Sequence, residues 1–257
     1  MIPKFLKEYE LALEKYKREA VKIKAKSIGV ATLKDKLDLK TSKFLGKPFY
    51  PKSKFYPKDK HGNPMLLLAQ LNFAEIPQLA DFPKDGILQL FLSATDWYDE
   101  ESKVVYHTKS EMEEDLVSDF SFLSEAAYKE MPIMKVHTLD FEKIIENGGL
   151  EDCQFDFQFG DLDWFDFVEE LSEKEDKEFN DYFDTYGHKI GGYAQFTQSD
   201  PRDYRGSNRS KTDIQLLQID SEGDIMFGDV GIGHVFINAE SLRNNAYEKA
   251  YFTWDCC

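Results

Sequence analysis

Cysteine is scarce in this chain: Cys153 stands alone, and Cys256 and Cys257 are neighbours. Three thiols cannot build a disulfide framework, and adjacent cysteines rarely bridge each other for geometric reasons. A disulfide-stapled scaffold is excluded, and a reducing compartment fits. Long apolar runs are missing too. Dense stretches such as Met65 to Ala69 fall far short of the ~18 to 20 residues a membrane helix needs. From Met1 to Tyr9, Lys and Glu interrupt the apolar residues, which matches neither a signal-peptide core nor an acid-poor transit segment. The expectation is a soluble cytoplasmic protein with no membrane contact.

The familiar catalytic signatures are also absent. There is no Gly-x-Ser-x-Gly elbow, no His-Glu-x-x-His and no Walker loop. His61, His107, His137, His188 and His234 are dispersed, and none lies at metal-ligand spacing from another His, Cys or Glu on one element. Gly228-Asp229-Val230-Gly231-Ile232-Gly233 has its glycines at positions one, four and six and leads into a strand, so it reads as a turn between strands rather than a dinucleotide loop. Asp161, Asp163 and Asp166 are interrupted by Trp164 and Phe165, which breaks a calcium-loop pattern. No catalytic set, metal or cofactor is expected.

What the sequence does hold is aromatic mass and uneven charge. Hydrophobic residues make up 42%, with 21 Phe and 13 Tyr, enough for a packed core and against disorder. The formal charge is −16, but residues 1–64 carry 17 Lys/Arg against 7 Asp/Glu (+10), whereas residues 96–186 carry 7 against 28 (−21). Either the two regions neutralise each other across the fold or the acidic 96–186 region engages a basic protein partner; nucleic acid is not the expected partner.

Apolar residues at spacings of three and four, from Phe5 through Leu13 to Ile23, predict an amphipathic helix over Pro3–Lys26. Ser172 with Glu175 has capping-box spacing and predicts a second helix whose face is Phe179, Tyr182, Phe183 and Tyr186, closed by Gly187. A further helix is predicted near Phe120–Lys129, and strands at Met65–Asn72, Ile87–Ser93, Ile133–Leu139, Ile225–Phe227 and Ile232–Ile237. Alternating Phe155, Phe157 and Phe159 predict a half-buried strand over Gln154–Gly160.

Four short blocks occur twice in the same order. Lys43-Phe44-Leu45-Gly46-Lys47 matches Lys189-Ile190-Gly191-Gly192-Tyr193, Pro57-Lys58-Asp59 matches Pro201-Arg202-Asp203, Leu68–Asn72 matches Leu216–Asp220, and Gly86–Leu92 matches Gly231–Ile237. Block starts step by 14, 11 and 18 residues in one copy and by 12, 15 and 15 in the other. The fold expected is α+β: a single compact globule over 1–257 of two pseudo-symmetric β-rich repeats, about 1–118 and 119–257, each preceded by a helix, with mostly antiparallel sheets and a cleft between the repeats.

Polar residues inside apolar strands are the candidate binding groups. Gln70 and Gln218 occupy matching repeat positions; each amide either satisfies loop backbone or lines the cleft. Lys58 and Arg202 with Asp203 follow prolines and read either as turn-stabilising residues or as anion binders, and Asp229 and His234 complete the candidate set.

The arrangement Ser42-Lys43-Phe44-Leu45-Gly46-x-Pro48, Tyr56-Pro57, Leu68-Ala69-Gln70-Leu71-Asn72 and Pro83-x-x-Gly86-Ile87-Leu88-x-x-Phe91 resembles the YwqG-like proteins, a bacterial domain of unknown function. Gly191-Gly192-Tyr193, Gln198-x-Asp200-Pro201-Arg202, Leu216-Leu217-Gln218-Ile219 and Met226-Phe227-Gly228-Asp229-x-Gly231 resemble its C-terminal half. In the early loop Leu45 replaces the first glycine of the usual pair. The resemblance implies a bacterial cytosolic origin and brings no activity. The leading functional expectation is a non-enzymatic binding or protein-interaction factor, accessory or immunity-like. The alternative is a ligand-binding protein or enzyme that uses the inter-repeat cleft.

Overall fold

A computed structural model describes residues 1–204 and 209–257. Ten strands form one antiparallel sheet: β1 (Arg18–Ser27), β2 (Lys43–Phe44), β3 (Leu66–Asn72), β4 (Ile87–Leu92), β5 (Ser102–His107), β6 (His137–Glu146), β7 (Lys189–Gly191), β8 (Ile214–Ile219), β9 (Ile232–Ile237) and β10 (Tyr251–Asp255). Their order is β10-β9-β8-β7-β1-β6-β2-β3-β4-β5. The sheet curls until its ends approach: Trp254 Nε1 donates to the Tyr98 carbonyl at 3.2 Å, and the Thr253 hydroxyl donates to Glu100 at 2.5 Å. Near-closure into a barrel-like form protects edges that would otherwise offer unpaired backbone groups.

This overturns the α+β expectation of two repeats each led by a helix. The helices are short: α1 (Glu10–Leu13), α2 (Trp164–Glu169), α3 (Glu173–Tyr182) and α4 (Ala239–Arg243). The helix predicted over Pro3–Lys26 ends by Tyr16, and the chain enters β1 at Arg18. The reason lies in the period. Beyond Tyr16, Val21 and Ile23 are buried while Lys22, Lys24 and Lys26 are exposed, which is the two-residue alternation of a strand, and Val and Ile favour it. The helix at Glu173–Tyr182 does form, with its Ser172–Glu175 capping box, but it leads no sheet. Its Phe179 and Phe183 pack with Leu6, Leu13, Phe155, Phe157, Phe159 and Tyr193 in a satellite core. In that core Phe155, Phe157 and Phe159 alternate in burial as a strand would, yet they are irregular chain whose rings surround Tyr9 and Tyr16. The helix predicted near Phe120–Lys129 reduces to one 3-10 turn, Ala127–Glu130, and the strand predicted at Ile133 starts at His137.

Read inward from either edge the sheet is built alike: β5-β4-β3-β2-β6 on one side, β10-β9-β8-β7-β1 on the other. β1 lies beside β7 and β6 beside β2, so each half donates its leading strand to the other. Both flanking pairs are bulged at matching places, between Leu67 and Ala69 and between Gln215 and Leu217. Lys43 stands opposite Gln70, and Lys189 opposite Gln218.

Gln70 and Gln218 are fully buried and make corresponding bonds. Gln70 Oε1 accepts from the Phe49 N–H at 2.8 Å, and its amide donates to the Leu39 and Thr41 carbonyls at 2.7 and 2.8 Å. Gln218 Oε1 accepts from the Gln195 N–H at 2.9 Å, and its amide donates to the Thr185 and Gly187 carbonyls at 3.0 and 2.9 Å. Each amide ties a central strand to the loop that crosses it. Because leucine in its place strands buried backbone groups, Gln70→Leu and Gln218→Leu are each expected to lower unfolding free energy by about 2–3 kcal/mol. Urea titration checks this; a loss below about 0.5 kcal/mol in either variant contradicts it.

Candidate functional site

At the seam where β1 meets β7 the chain makes a sharp bend through Gly191 and Gly192, both at φ +70°. A Cβ on Gly192 would stand 2.2 Å from Glu146 Oε2, so only glycine both turns here and clears that carboxylate. Leu45 holds the corresponding place in the other half and takes the left-handed conformation itself, at φ +57°. Beneath the bend Lys189 Nζ donates to Glu146 at 2.6 Å, and the Tyr193 N–H donates to the other carboxylate oxygen at 2.6 Å. Burial drives both ends of this pair towards neutrality, Glu146 upward and Lys189 downward.

The next layer is built on Arg202, at the centre of the 3-10 turn Pro201–Asp203. Asp200 caps that turn by accepting from the Arg202 N–H at 2.9 Å, and the Arg202 guanidinium donates back to Asp200 at 2.6 Å, to Asp152 at 2.9 Å and to the Asp213 carbonyl at 2.9 Å. Its guanidinium carbon lies 4.4 Å from the centre of the Phe236 ring. Asp152, Cys153 and Asp200 bring three potential metal donors within 4.8 Å of one another. The guanidinium, however, already bridges both carboxylates. Burial also pushes the Cys153 thiol up to about 12, which disfavours its free thiolate.

Above this layer opens a cleft of about 340 Å³, lined by Arg18 and Glu19 of β1, Leu79 and Phe82 from the β3–β4 connection, and Gly191, Arg202, Ile214 and Gln215 from the second half. The Arg18 guanidinium carbon sits over Tyr193, 3.9 Å from the ring centre, and the guanidinium donates to Gln154 Oε1 at 2.8 Å. Tyr193 is buried and anchored by its hydroxyl to the Tyr16 carbonyl at 2.7 Å. Among the described residues, that bond to Gln154 is the sole hydrogen bond of the Arg18 side chain, which leaves the rest of its donor fork open.

Of the candidates named from the sequence, Arg202 alone lines this cleft. Gln70 and Gln218 are spent on backbone. Lys58 is exposed in a turn far along the chain, where its carbonyl accepts from Lys103 at 2.7 Å. Asp203 is exposed and pairs with Lys211. Asp229 is exposed in the turn between the Phe227 bridge and β9. His234 is buried behind the cleft, its Nδ1 bonded to Gln215 Oε1 at 3.2 Å. Arg18, Gln154, Gln215 and Tyr193 escaped the sequence reading. Arg18 was hidden by the over-extended helix and Gln154 by the aromatic alternation beside it; Gln215, three residues before Gln218 in the same strand, was the one visible signal.

The charge asymmetry is partly closed by ion pairs between the two regions. Lys24 of β1 pairs with Glu142 of β6 at 2.6 Å, and Lys54 in a loop pairs with Glu111 in a 3-10 turn at 2.6 Å. An exposed pair such as Lys24–Glu142 contributes little individually.

Curled sheet and seam cleft together define a mostly-β protein built around a junction between two halves. The chain belongs to the family described as a domain of unknown function (DUF1963), which matches residues 42–256. The matched span holds β2 through β10 and Arg202; β1 and Arg18 precede it. A comparison with curated proteins found no match. Among the described residues, no helix is long and apolar enough to cross a membrane.

Proposed function

We propose that this is a non-enzymatic binding protein whose seam cleft takes a small organic ligand. The carrying observation is Arg18, held over a ring and by an amide yet with most of its donors unused, at the mouth of a cleft walled by Leu79, Phe82 and Ile214. An apolar cavity of this volume with a few convergent polar groups is the usual form of a ligand site. Binding rather than turnover is favoured because Glu19 pairs with Lys143 at 2.7 Å, while Asp213 accepts from Ser210 N–H and the Tyr251 hydroxyl, leaving neither carboxylate poised as a base. A bacterial cytoplasmic setting, a YwqG-like membership and descent of the two halves from one duplicated unit belong to the same reading, supported by the unpaired cysteines and the matched halves of the sheet.

Ala80 is exposed at the cleft, so tryptophan there fills the opening without entering the core. Thermal-shift screening against small metabolites should give at least one compound that raises Tm by about 5 °C at saturating concentration in the wild type and has no effect on Ala80→Trp. A screen with no shift, or with shifts that survive Ala80→Trp, removes the reading.

A further inference from the structure

We infer that the ligand carries one carboxylate on an apolar body, and that Arg18 receives the carboxylate. This rests on the binding reading above and adds the chemical class. Arg18 is a preorganised fork. Tyr193 supports its face, Gln154 holds one edge, and Gln154 is itself fixed by donating to the Asp213 carbonyl at 2.9 Å. Little side-chain freedom remains to be lost on binding. The unused N–H groups are donors only, so their complement is an acceptor, and paired parallel donors match the two oxygens of a carboxylate.

The charge count selects a monoanion. Arg202 also lines the cleft, but its charge is met by Asp200 and Asp152. Glu19 and Asp213 line it as well, and although each has partners, both carry negative charge. Among the described residues that line the cleft, Arg18 is therefore the one cation whose charge no carboxylate meets. One carboxylate satisfies it, whereas a dianion would bring a second charge against Glu19 or Asp213. Leu79, Phe82 and Ile214 give the remainder of the ligand an apolar surface, which inorganic anions cannot use.

The test measures binding of phenylacetate, 2-phenylethanol and inorganic phosphate by ligand-observed NMR, using the full chain. Phenylacetate is expected to bind at least tenfold more tightly than either of the others, from the strength of a charge-assisted hydrogen bond. Arg18→Gln should remove that preference, and Ala80→Trp should abolish binding of both aromatic probes. Arg18→Lys, which keeps a cation over Tyr193 but lacks the planar fork, should lose most of the preference while retaining the fold by circular dichroism. Equal binding of acid and alcohol, or a preference that survives Arg18→Gln or Arg18→Lys in full, overturns the carboxylate assignment and leaves the cleft reading standing. Preferred binding of phosphate overturns the monoanion assignment. If no probe binds in a way that Ala80→Trp removes, both inferences fall together.

Discussion

Between pH 7 and pH 5 the protein is expected to lose about 4–6 kcal/mol of unfolding free energy, a large part of the 5–15 kcal/mol typical of a folded domain. Of the four buried histidines, three drive most of the loss, and His137, also lowered by burial, adds to it in the same sense. Burial pulls His107 and His188 down to about 4 and His234 to about 3. Their bonds agree with neutral rings. His107 Nε2 donates to Gln89 Oε1 at 2.8 Å, because the Gln89 amide nitrogen is already committed to the Phe49 carbonyl and Gln70. His188 Nδ1 accepts from the Asp220 N–H at 2.9 Å, and His234 Nδ1 faces Gln215 Oε1. In the unfolded chain each ring titrates near 6.5. As pH falls below that value the unfolded state takes up protons the folded state refuses, so stability is full near pH 7 and drains away down to about pH 4. Each ring contributes about 2 kcal/mol at pH 5. Glu146 acts in the opposite sense, since burial raises it and lets the folded state bind a proton early, which trims the total. Glu222, 3.6 Å from His188, and Asp255, 3.9 Å from His234, reduce the cost of charging those two rings. Urea titrations at half-unit pH steps should show unfolding coupled to uptake of two to three protons near pH 5.5. A midpoint independent of pH between 7 and 5 contradicts the assignment.

Much of the strand framework was legible in the sequence because β3, β4 and β9 are largely apolar runs bounded by turn residues. Those runs leave few alternatives, and each strand falls within a residue of its expected limits at Leu66–Asn72, Ile87–Leu92 and Ile232–Ile237. The errors came where two periods overlap. Phe5 to Tyr16 has helical spacing, and Ala20, Val21 and Ile23 can be counted into the same stripe, so the switch from a period of 3.6 to one of 2 at Arg18 was invisible to a window spanning both. That single misreading hid the exchange of β1 and β6 between the halves. It also hid Arg18, since a residue assigned to a solvent-facing helix has no reason to reach a seam. The site otherwise depends on contacts far apart in sequence, Arg18 with Tyr193 and Asp152 with Arg202, and local pattern does not encode them. The buried glutamines were recognisable individually because an amide within an apolar strand needs partners; which partners it finds is a property of the loops.

Arg202→Met should destabilise the protein by about 3–5 kcal/mol. The arginine is 3% exposed, and Asp152 and Asp200 are 3% and 5% exposed, so the three charges share one buried volume. Methionine can fill the space beside Phe236, but it supplies none of the donors. Two carboxylates are then stranded with backbone N–H partners alone: Cys153 and Arg202 for Asp200, and Ala194 and Gln154 for Asp152. What the measurement reads is therefore the cost of uncompensated buried charge rather than the worth of the ion pair, and the two separate in a double variant. Asp200→Asn in the Arg202→Met background removes one stranded charge while keeping a side-chain oxygen to cap the Pro201–Asp203 turn, so Arg202→Met/Asp200→Asn should be more stable than Arg202→Met by more than 1 kcal/mol. Asp200→Asn in the wild-type background should instead be destabilising, since it weakens the closest partner of Arg202. This reversal of sign is the signature of coupled residues. Chemical denaturation of the four proteins measures it directly; if Asp200→Asn destabilises equally in both backgrounds, Arg202 and Asp200 are not a charge pair in solution and the layer beneath the cleft is held by packing on Phe236.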